Sequence, residues 1–117
     1  MTPTVQRLTL QASGAQTASN NSSAVTNLAD YREAVATLNV TAVSGTTPTL
    51  AVKLQVSDDG GTTWYDLPGG AFTSATAITA QAIQVTNFGD TLRAVSTIGG
   101  TTPSFTYAIK LVTKKVA

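Results

Sequence analysis

The sequence between residues 57 and 64 reads Ser-Asp-Asp-Gly-Gly-Thr-Thr-Trp, and it lies between two segments with the pattern of β-strands. On its N-terminal side, in residues 49–57, every second residue is apolar: Leu50, Val52, Leu54 and Val56. A period of two is that of a strand with one buried face. Asp-Gly between two such segments favours a turn, because glycine tolerates a positive φ and aspartate hydrogen-bonds its own turn backbone. Residues 49–67 therefore predict a β-hairpin.

Five of these eight residues match the pattern Ser-x-Asp-x-Gly-x-Thr-Trp, namely Ser57, Asp59, Gly61, Thr63 and Trp64. The pattern resembles the Asp-box, a turn found in sialidases and many other β-proteins. Asp59 is placed to accept hydrogen bonds from turn amides, and Trp64 to fold its ring back over the hairpin. A sialidase repeats the box around a propeller and adds an arginine cluster and a tyrosine nucleophile, whereas this chain has one copy. We therefore interpret the five residues as a structural turn.

Composition limits the possible functions. The length of 117 residues predicts a single domain covering residues 1–117. Charged residues make up 11% of the chain, seven basic and six acidic, so we expect no nucleic-acid partner. The sequence has no cysteine, hence no disulfide framework, and no histidine, the commonest general base and metal ligand. We expect no enzymatic activity, no cofactor, no catalytic residues and no bound metal.

The N-terminus reads Met-Thr-Pro-Thr-Val-Gln-Arg and has neither the basic nor the apolar region of a signal peptide. No apolar run approaches the length that spans a membrane. These observations predict synthesis in a host cytoplasm and no membrane partner.

The N-terminal third predicts a short strand followed by irregular chain. Residues 5–11 place Leu8 and Leu10 on one face of a first strand. Residues 12–24 contain small and polar residues almost exclusively, which predicts a flexible loop or arm. Residues 25–34 favour an irregular lead into a strand, with a helical turn capped by Asn27 as the alternative.

Two distant segments resemble each other. From residue 35 the alternation places Ala36, Leu38, Val40 and Ala42 on one face, and a turn is predicted at residues 44–48. Residues 43–56 are then echoed by residues 98–111, so that Gly-Thr-Thr-Pro at 45–48 aligns with the same four residues at 100–103. The echo predicts two similar hairpins with one turn recipe; chance similarity between threonine-rich turns is the alternative.

The remaining segments complete an all-β pattern. Pro-Gly-Gly at residues 68–70 predicts a break, residues 71–77 a weak edge strand, residues 79–86 and 91–98 strands, and residues 87–90 a turn. Eight or so short strands with frequent turn signals predict an antiparallel β-sandwich, jelly-roll-like, with an immunoglobulin-like arrangement as the alternative. The absence of cysteine favours the jelly roll.

Few residues could carry chemistry. Asp58, Asp59 and Asp66 could hold a calcium ion with turn carbonyls, although Asp59 more plausibly serves its turn. A sugar platform could be built from aromatic residues, but packing in the core and turns explains them better: Tyr31, Trp64, Tyr65 and Tyr107. Lysine on a strand surface is a poor base for activating a hydroxyl nucleophile.

Residues 31–67, together with Asn-Phe-Gly-Asp-Thr-Leu-Arg-Ala at 87–94, resemble small β-sandwich proteins of the virions of tailed bacteriophages. The resemblance covers about residues 31–111. Such proteins typically decorate or cement the capsid, often as trimers between capsomers, and others of similar fold are head fibres or tail parts. The resemblance implies a structural virion protein on the capsid surface, with the major capsid protein as partner and no catalytic residues.

The leading hypothesis is therefore a homotrimeric decoration protein. Its contact surface would use exposed strand faces with Lys53, Gln55, Arg93 and Thr97. It predicts that Trp64 is buried and that residues 12–23 become ordered only on the shell. The alternative is a carbohydrate-binding module that uses Trp64 and Tyr65 with Asp66, which predicts an exposed aromatic pair in a shallow groove.

Overall fold

A computed structural model describes residues 4–22, 24–25, 31–86 and 91–115. These residues form an all-β antiparallel fold of six strands. The strands are β1 (Thr4–Gln16), β2 (Asn20–Asn21), β3 (Tyr31–Ser57), β4 (Tyr65–Ala71), β5 (Thr79–Thr86) and β6 (Thr91–Lys115). No helix long and apolar enough to span a bilayer occurs in this part of the chain.

Two strands, β3 and β6, are far longer than the others and pair along nearly their whole length. At about 3.3 Å per residue, a straight strand of the length of β3 would reach roughly 90 Å. The longest dimension of the described chain is 50 Å, so both strands must bend. The prediction of eight or so short strands is corrected accordingly, because two pairs of predicted strands are each one continuous, bent strand.

The bends divide the sheet into two layers. The first layer contains β5, residues 31–44 of β3, residues 104–115 of β6, and β1. The second layer contains β4, residues 49–57 of β3, residues 91–99 of β6, and β2. The thinnest dimension of the chain is 21 Å, which fits two sheets about 10 Å apart with side chains on their outer faces.

The core lies between the layers. Inward-facing residues of both layers form one cluster, and Asn20 of the second layer donates a hydrogen bond from Nδ2 to the Tyr107 hydroxyl of the first, at 3.2 Å. The predicted all-β antiparallel sandwich is thereby confirmed. The largest fully buried side chains are Tyr107, Phe105, Leu38, Leu50, Leu54, Leu92, Ile109, Leu111, Val40, Val52 and Val85.

The two Gly-Thr-Thr-Pro motifs are not hairpin turns. They lie opposite each other at the two bends, with Thr46 paired to Thr101. The backbone conformations repeat: Gly45 and Gly100 have φ of 109° and 114°, and the two threonines at 47 and 102 have φ of 47° and 45°. A local twofold therefore relates the bends, and the predicted pair of similar hairpins is wrong. The two similar sequences form the two facing bends of β3 and β6.

The alternation predicted after residue 35 changes face before the bend. Ala36, Leu38 and Val40 are buried as predicted, but Ala42 is exposed and Val43 packs against the core. The register with β6 shifts between Val40 and Ala42, so one extra residue forms a bulge there. Because side chains alternate with a period of two, one inserted residue moves the following ones to the opposite faces.

Two parts of the predicted flexible arm at residues 12–24, namely residues 12–16 and 20–21, are strands and not loop, whereas its flexibility stays a prediction. Strand β1 continues to Gln16 along β6, and Asn20–Asn21 pairs with β6 in the second layer. The Ser22 backbone N–H donates to the Ala94 carbonyl at 2.8 Å, and the Val25 N–H to that of Leu92 at 2.8 Å. Small polar residues are tolerated here because main-chain pairing, which needs no apolar side chain, holds the segment.

The segment after the hairpin is only partly as predicted. Pro-Gly-Gly at 68–70 does not end the strand but lies inside β4 at an irregularity, where the register shifts between Lys53, paired with Ala71, and Gln55, paired with Asp66. Instead of an edge strand at 71–77, the Phe72 N–H donates to the Val52 carbonyl, and Ala75 and Leu50 exchange two backbone hydrogen bonds as an isolated bridge. The strand at Thr79–Thr86 is confirmed.

Two predictions concern residues that lie outside the described part of the chain. They are the lead into β3, of which residues 26–30 are not described, and the turn at residues 87–90. That residues 1–117 form a single domain also stays a prediction.

Candidate interaction surface

The turn between β3 and β4 is organised by the carboxylate of Asp59. Its Oδ1 accepts hydrogen bonds from the backbone N–H groups of Thr62 at 3.0 Å and Thr63 at 2.8 Å. The Ser57 hydroxyl donates to the same oxygen at 2.7 Å. These hydrogen bonds, led by that from the Thr63 backbone, lower the pKa of Asp59 far below its ordinary value of 3.8. The charged carboxylate therefore fixes the turn at neutral pH.

Ser57 is the second organiser of the turn. It is buried at the end of β3, and its Oγ accepts a hydrogen bond from the Gly61 N–H at 2.8 Å. Gly60 and Gly61 adopt φ of 80° and 107°, which the turn path requires. The five residues predicted as a structural turn are thus brought together, with Trp64 closing the turn by donating from Nε1 to the Gly61 carbonyl at 3.1 Å.

Trp64 is half-buried, with its ring between the turn and Arg93. The Arg93 guanidinium carbon lies 4.4 Å from the ring centroid, which is cation–π geometry. The same guanidinium donates to Gln55 Oε1 from Nε at 3.0 Å and from Nη2 at 2.8 Å. Arg93 is thereby held in one orientation across the outer face of the second layer.

A lysine and a carboxylate extend this arrangement. Asp66 accepts from Gln55 Nε2 at 3.0 Å, and Lys53 Nζ lies 3.1 Å from Asp66 Oδ1. The hydrogen bond from Gln55, followed by that from Lys53, lowers the pKa of Asp66. Gln55 therefore joins two charged groups, its carbonyl oxygen bound by Arg93 and its amide bound to Asp66. We name the set Lys53, Gln55, Trp64, Asp66 and Arg93 the outer network.

The predicted contact residues Lys53, Gln55, Arg93 and Thr97 do lie on one outer face, because each alternates with buried neighbours on β3 or β6. The sequence did not predict the link from Arg93 to Trp64. The signal that could have indicated it is the alternation of side chains. Arg93 and its cross-strand partner Gln55 both face outward, and the turn that carries Trp64 begins two residues after Gln55. Seeing it required the register between strands that are far apart in sequence.

The sugar platform, the less favoured alternative for the aromatic residues, is only partly assembled. Tyr65 is 53% exposed next to Trp64, but Arg93 lies over the Trp64 ring and Asp66 is bound by Lys53 and Gln55. Tyr107 is fully buried in the core. The side chain of Tyr31 lies outside the described part. Of the two discriminating predictions, neither full burial of Trp64 nor an open aromatic pair is found.

The carboxylates near the turn are the remaining candidates for a bound cation. No group of three potential metal ligands occurs among the described residues, and the calcium hypothesis for Asp58, Asp59 and Asp66 is not supported by their positions. Asp59 is committed to its turn and Asp66 to Lys53 and Gln55. The outer network is a mixed-charge surface whose side chains are held by one another. Arginine, tryptophan and tyrosine are the residues enriched at the centres of protein interfaces.

No protein-family model matches this sequence, and no curated protein is significantly similar to it. Solved structures share its fold. The SPBc2 prophage-derived protein YomS is similar over 98% of this chain and 96% of its own, with a TM-score of 0.59 and 13% identity. A chain of infectious bursal disease virus, Gx strain, covers 97% of this chain with a TM-score of 0.63 and 12% identity, and this chain spans 32% of it.

A third similar structure comes from Bacillus endospore appendages, described as disulfide-linked pili. It covers 99% of this chain and 90% of its own, with a TM-score of 0.50 and 17% identity. At sequence identities this low, the structural similarity shows that the fold is shared and nothing further.

Proposed function

We propose that this protein is a non-enzymatic structural component of a virion, and specifically a capsid decoration or cement protein on the surface of a phage head. The observation that carries this proposal is the likeness of fold over nearly the whole chain to a prophage-derived protein, with the same fold inside a virus-particle chain. The resemblance of residues 31–111 to phage virion sandwiches supports the same conclusion independently.

The mechanism is mass action. A protein that binds the assembled shell, and not its disassembled subunits, stabilises the shell by its binding free energy. Many identical sites per shell and several contacts per oligomer multiply this effect. Such a function needs a rigid surface and no reactive group, which fits a chain without histidine or cysteine.

We propose that the outer network is the surface with which this protein contacts the major capsid protein. Its arginine is held by Gln55 and by the Trp64 ring, so little side-chain freedom is lost on binding. Tyr65 stands exposed beside it as a further anchor. A homotrimer would present three copies of this surface to a threefold or quasi-threefold position of the shell.

The test is co-sedimentation of the purified chain with expanded shells that lack it, followed by heating of the shells. We expect saturable binding and a higher temperature of shell disruption. Arg93→Ala and Tyr65→Ala should each weaken binding about tenfold, whereas Gln84→Ala, an exposed residue of the first layer, should not change it. Absence of binding to shells would contradict the proposal.

A carbohydrate-binding module is the second candidate, favoured by the exposure of Tyr65 beside Trp64. It predicts glycan binding by a free monomer that is lost on Tyr65→Ala. A head-fibre or tail part is the remaining virion alternative, and it predicts binding to purified tails or fibres and not to shells. Light scattering after size-exclusion chromatography separates a trimer from a monomer.

A further inference from the structure

The two outer faces of the sandwich differ in charge. On the first layer the structure describes the side chains of three basic residues and one acidic residue: Arg7, Lys110, Lys114 and Glu33. Glu33 lies opposite Lys114 in the ladder, which leaves the part around Lys110 basic. The second layer and its turn carry Lys53 and Arg93 against the three carboxylates of Asp58, Asp59 and Asp66. One face is therefore positive and the other slightly negative.

Lys110 borders a depression of about 560 Å³ on the positive face. It lies between Thr9 on one neighbouring strand and Thr37 on the other, and the rest of the depression is lined by Ala12, Ser13, Asn39, Thr41 and Ala108. Lys110 is exposed, and within the described ranges it forms no ion pair or hydrogen bond. An ammonium group among hydroxyls and an amide is a donor-rich site that suits a carboxylate.

The turn at residues 57–64 presents a carboxylate of the opposite kind. Asp58 is exposed and, among the residues that the structure describes, has no hydrogen-bond or ion-pair partner. Its neighbour Asp59 is bound by the turn backbone, so the turn that carries Asp58 has a fixed shape. The turn joins β3 to β4 in the second layer, whereas the residues that line the depression belong to the first layer, which includes β1.

We propose that the depression around Lys110 receives the Asp58 turn of a second copy of this chain. Lys110 Nζ then donates to the Asp58 carboxylate of the partner subunit, with the hydroxyls of Thr9 and Thr37 as further donors. The contact joins two different surfaces, so it is head-to-tail, and it closes into a ring where the rotation between copies is one-third of a turn. This contact presupposes the homotrimer of the proposed function and names its residues.

Charge complementarity is what selects a second copy as the occupant. The chain carries 11% charged residues, so general attraction between copies is weak and a local pair sets the orientation. An exposed ion pair is worth at most a few-fold in affinity. The pair therefore specifies which surfaces meet, while buried area in the contact supplies the affinity.

Charge reversal tests this contact in the full chain. We expect Lys110→Glu and Asp58→Lys each to weaken the contact about fivefold, which is roughly a hundredfold in the assembly constant of a ring with three equivalent contacts. The double variant, which carries both reversals in one chain, should recover trimer formation. Sedimentation equilibrium at low and at high salt measures all four proteins, and the differences should shrink at high salt. Lys114→Glu, which changes net charge equally outside the depression, is the matched control.

Three results would overturn the contact. One is a double variant whose loss of trimer affinity equals the sum of the losses of the two single variants. Another is a Lys114→Glu protein whose trimer affinity falls as much as that of Lys110→Glu. The third is a wild-type chain that stays monomeric at about millimolar concentration. Shell co-sedimentation separates this failure from that of the proposed function: a monomer that binds shells overturns the contact alone, and a charge-paired trimer that does not bind them overturns the decoration role alone.

Discussion

Two places in this chain force the backbone into unusual conformations, and they are held by different means. The turn at residues 57–64 is held by Ser57 and Asp59, whose side chains bind backbone groups within the same eight residues. The bends at residues 45–48 and 100–103 are held by each other: a Cβ atom on Gly45 would lie 2.6 Å from the Thr102 carbonyl oxygen. The turn is held by side-chain hydrogen bonds within one short segment. The bends are held by the close approach of two backbone segments that are far apart in sequence.

The largest effect is expected from filling the space between the bends. Gly45→Ala places a methyl group 2.6 Å from one carbonyl oxygen and 2.9 Å from Pro103 Cα, at a φ of 109°. The atoms in the way belong to the backbone of β6, which cannot move unless the two bends separate. We expect a loss of about 3–5 kcal/mol in the free energy of unfolding, measured by urea denaturation.

The local twofold makes this prediction sharper. A Cβ on Gly100 would lie 2.7 Å from the Thr47 carbonyl oxygen, so Gly100→Ala should cost nearly as much as Gly45→Ala. Gly60→Ala is the control, since Gly60 also has a positive φ but no atom within 4 Å of the added methyl. It should cost only about 1 kcal/mol. Equal losses at Gly45 and Gly60 would show that φ alone, and not the close approach, matters at the bends.

The next effect comes from the turn at residues 57–64. Ser57→Ala removes the buried hydroxyl that accepts from the Gly61 N–H and donates to Asp59. We expect a loss of about 1–2 kcal/mol in unfolding free energy, because the amide loses its partner. Thr62→Ala is the matched control, since Thr62 contributes its backbone N–H to the turn. If both substitutions cost the same, the hydroxyl of Ser57 does not organise the turn.

The contrast explains which parts of the fold could be predicted. The hairpin at residues 57–64 could be predicted because its turn residues and flanking alternation are adjacent in sequence. The bends could not: Gly-Thr-Thr-Pro at 45–48 is also an ordinary turn signal, and only pairing with residues 55 positions away makes it a bend within a strand. The change of face between Ala42 and Val43 was hidden for the same reason, since the bulge is defined by the register between β3 and β6.

The candidate site shows the same division. The outward direction of Lys53, Gln55 and Arg93 followed from alternation within each strand. Their joining into one network did not, because it depends on the register that places Gln55 opposite Arg93. The prediction of a loop at residues 12–16 and 20–21 was wrong for a related reason. The main-chain pairing of β1 and β2 with β6 requires no pattern of side chains.

The two threonines of the bends predict a gain in stability. Thr47 and Thr102 are β-branched residues at φ of 47° and 45°, where a side chain is strained. Thr47→Gly or Thr102→Gly relieves the strain, and after the entropy cost of glycine we expect a gain of about 0.5–1 kcal/mol. Thr46→Gly is the opposing control, with an expected loss of up to about 1 kcal/mol. A loss of stability in both Thr47→Gly and Thr102→Gly would mean that their side chains stabilise the two bends.

The smallest effect is the pH dependence of the turn at residues 57–64. The pKa of Asp59 is lowered in the folded protein, chiefly by the hydrogen bond from the Thr63 backbone, so the folded state favours its charged form. This contribution is complete above the ordinary pKa of 3.8 and is lost as the pH falls below that value towards the folded-state pKa. Thermal unfolding of the wild type should therefore lose stability on acidification from about pH 5, and Asp59→Asn should flatten that slope. Asp58→Asn removes a neighbouring carboxylate of the same turn that accepts no hydrogen bond from the described residues. A slope flattened equally by both substitutions would therefore show that the hydrogen bonds to Asp59 are not the titrating interaction. The bends contain no carboxylate, and their stability should be indifferent to the same change in pH: the loss caused by Gly45→Ala should be the same at both ends of the acid range.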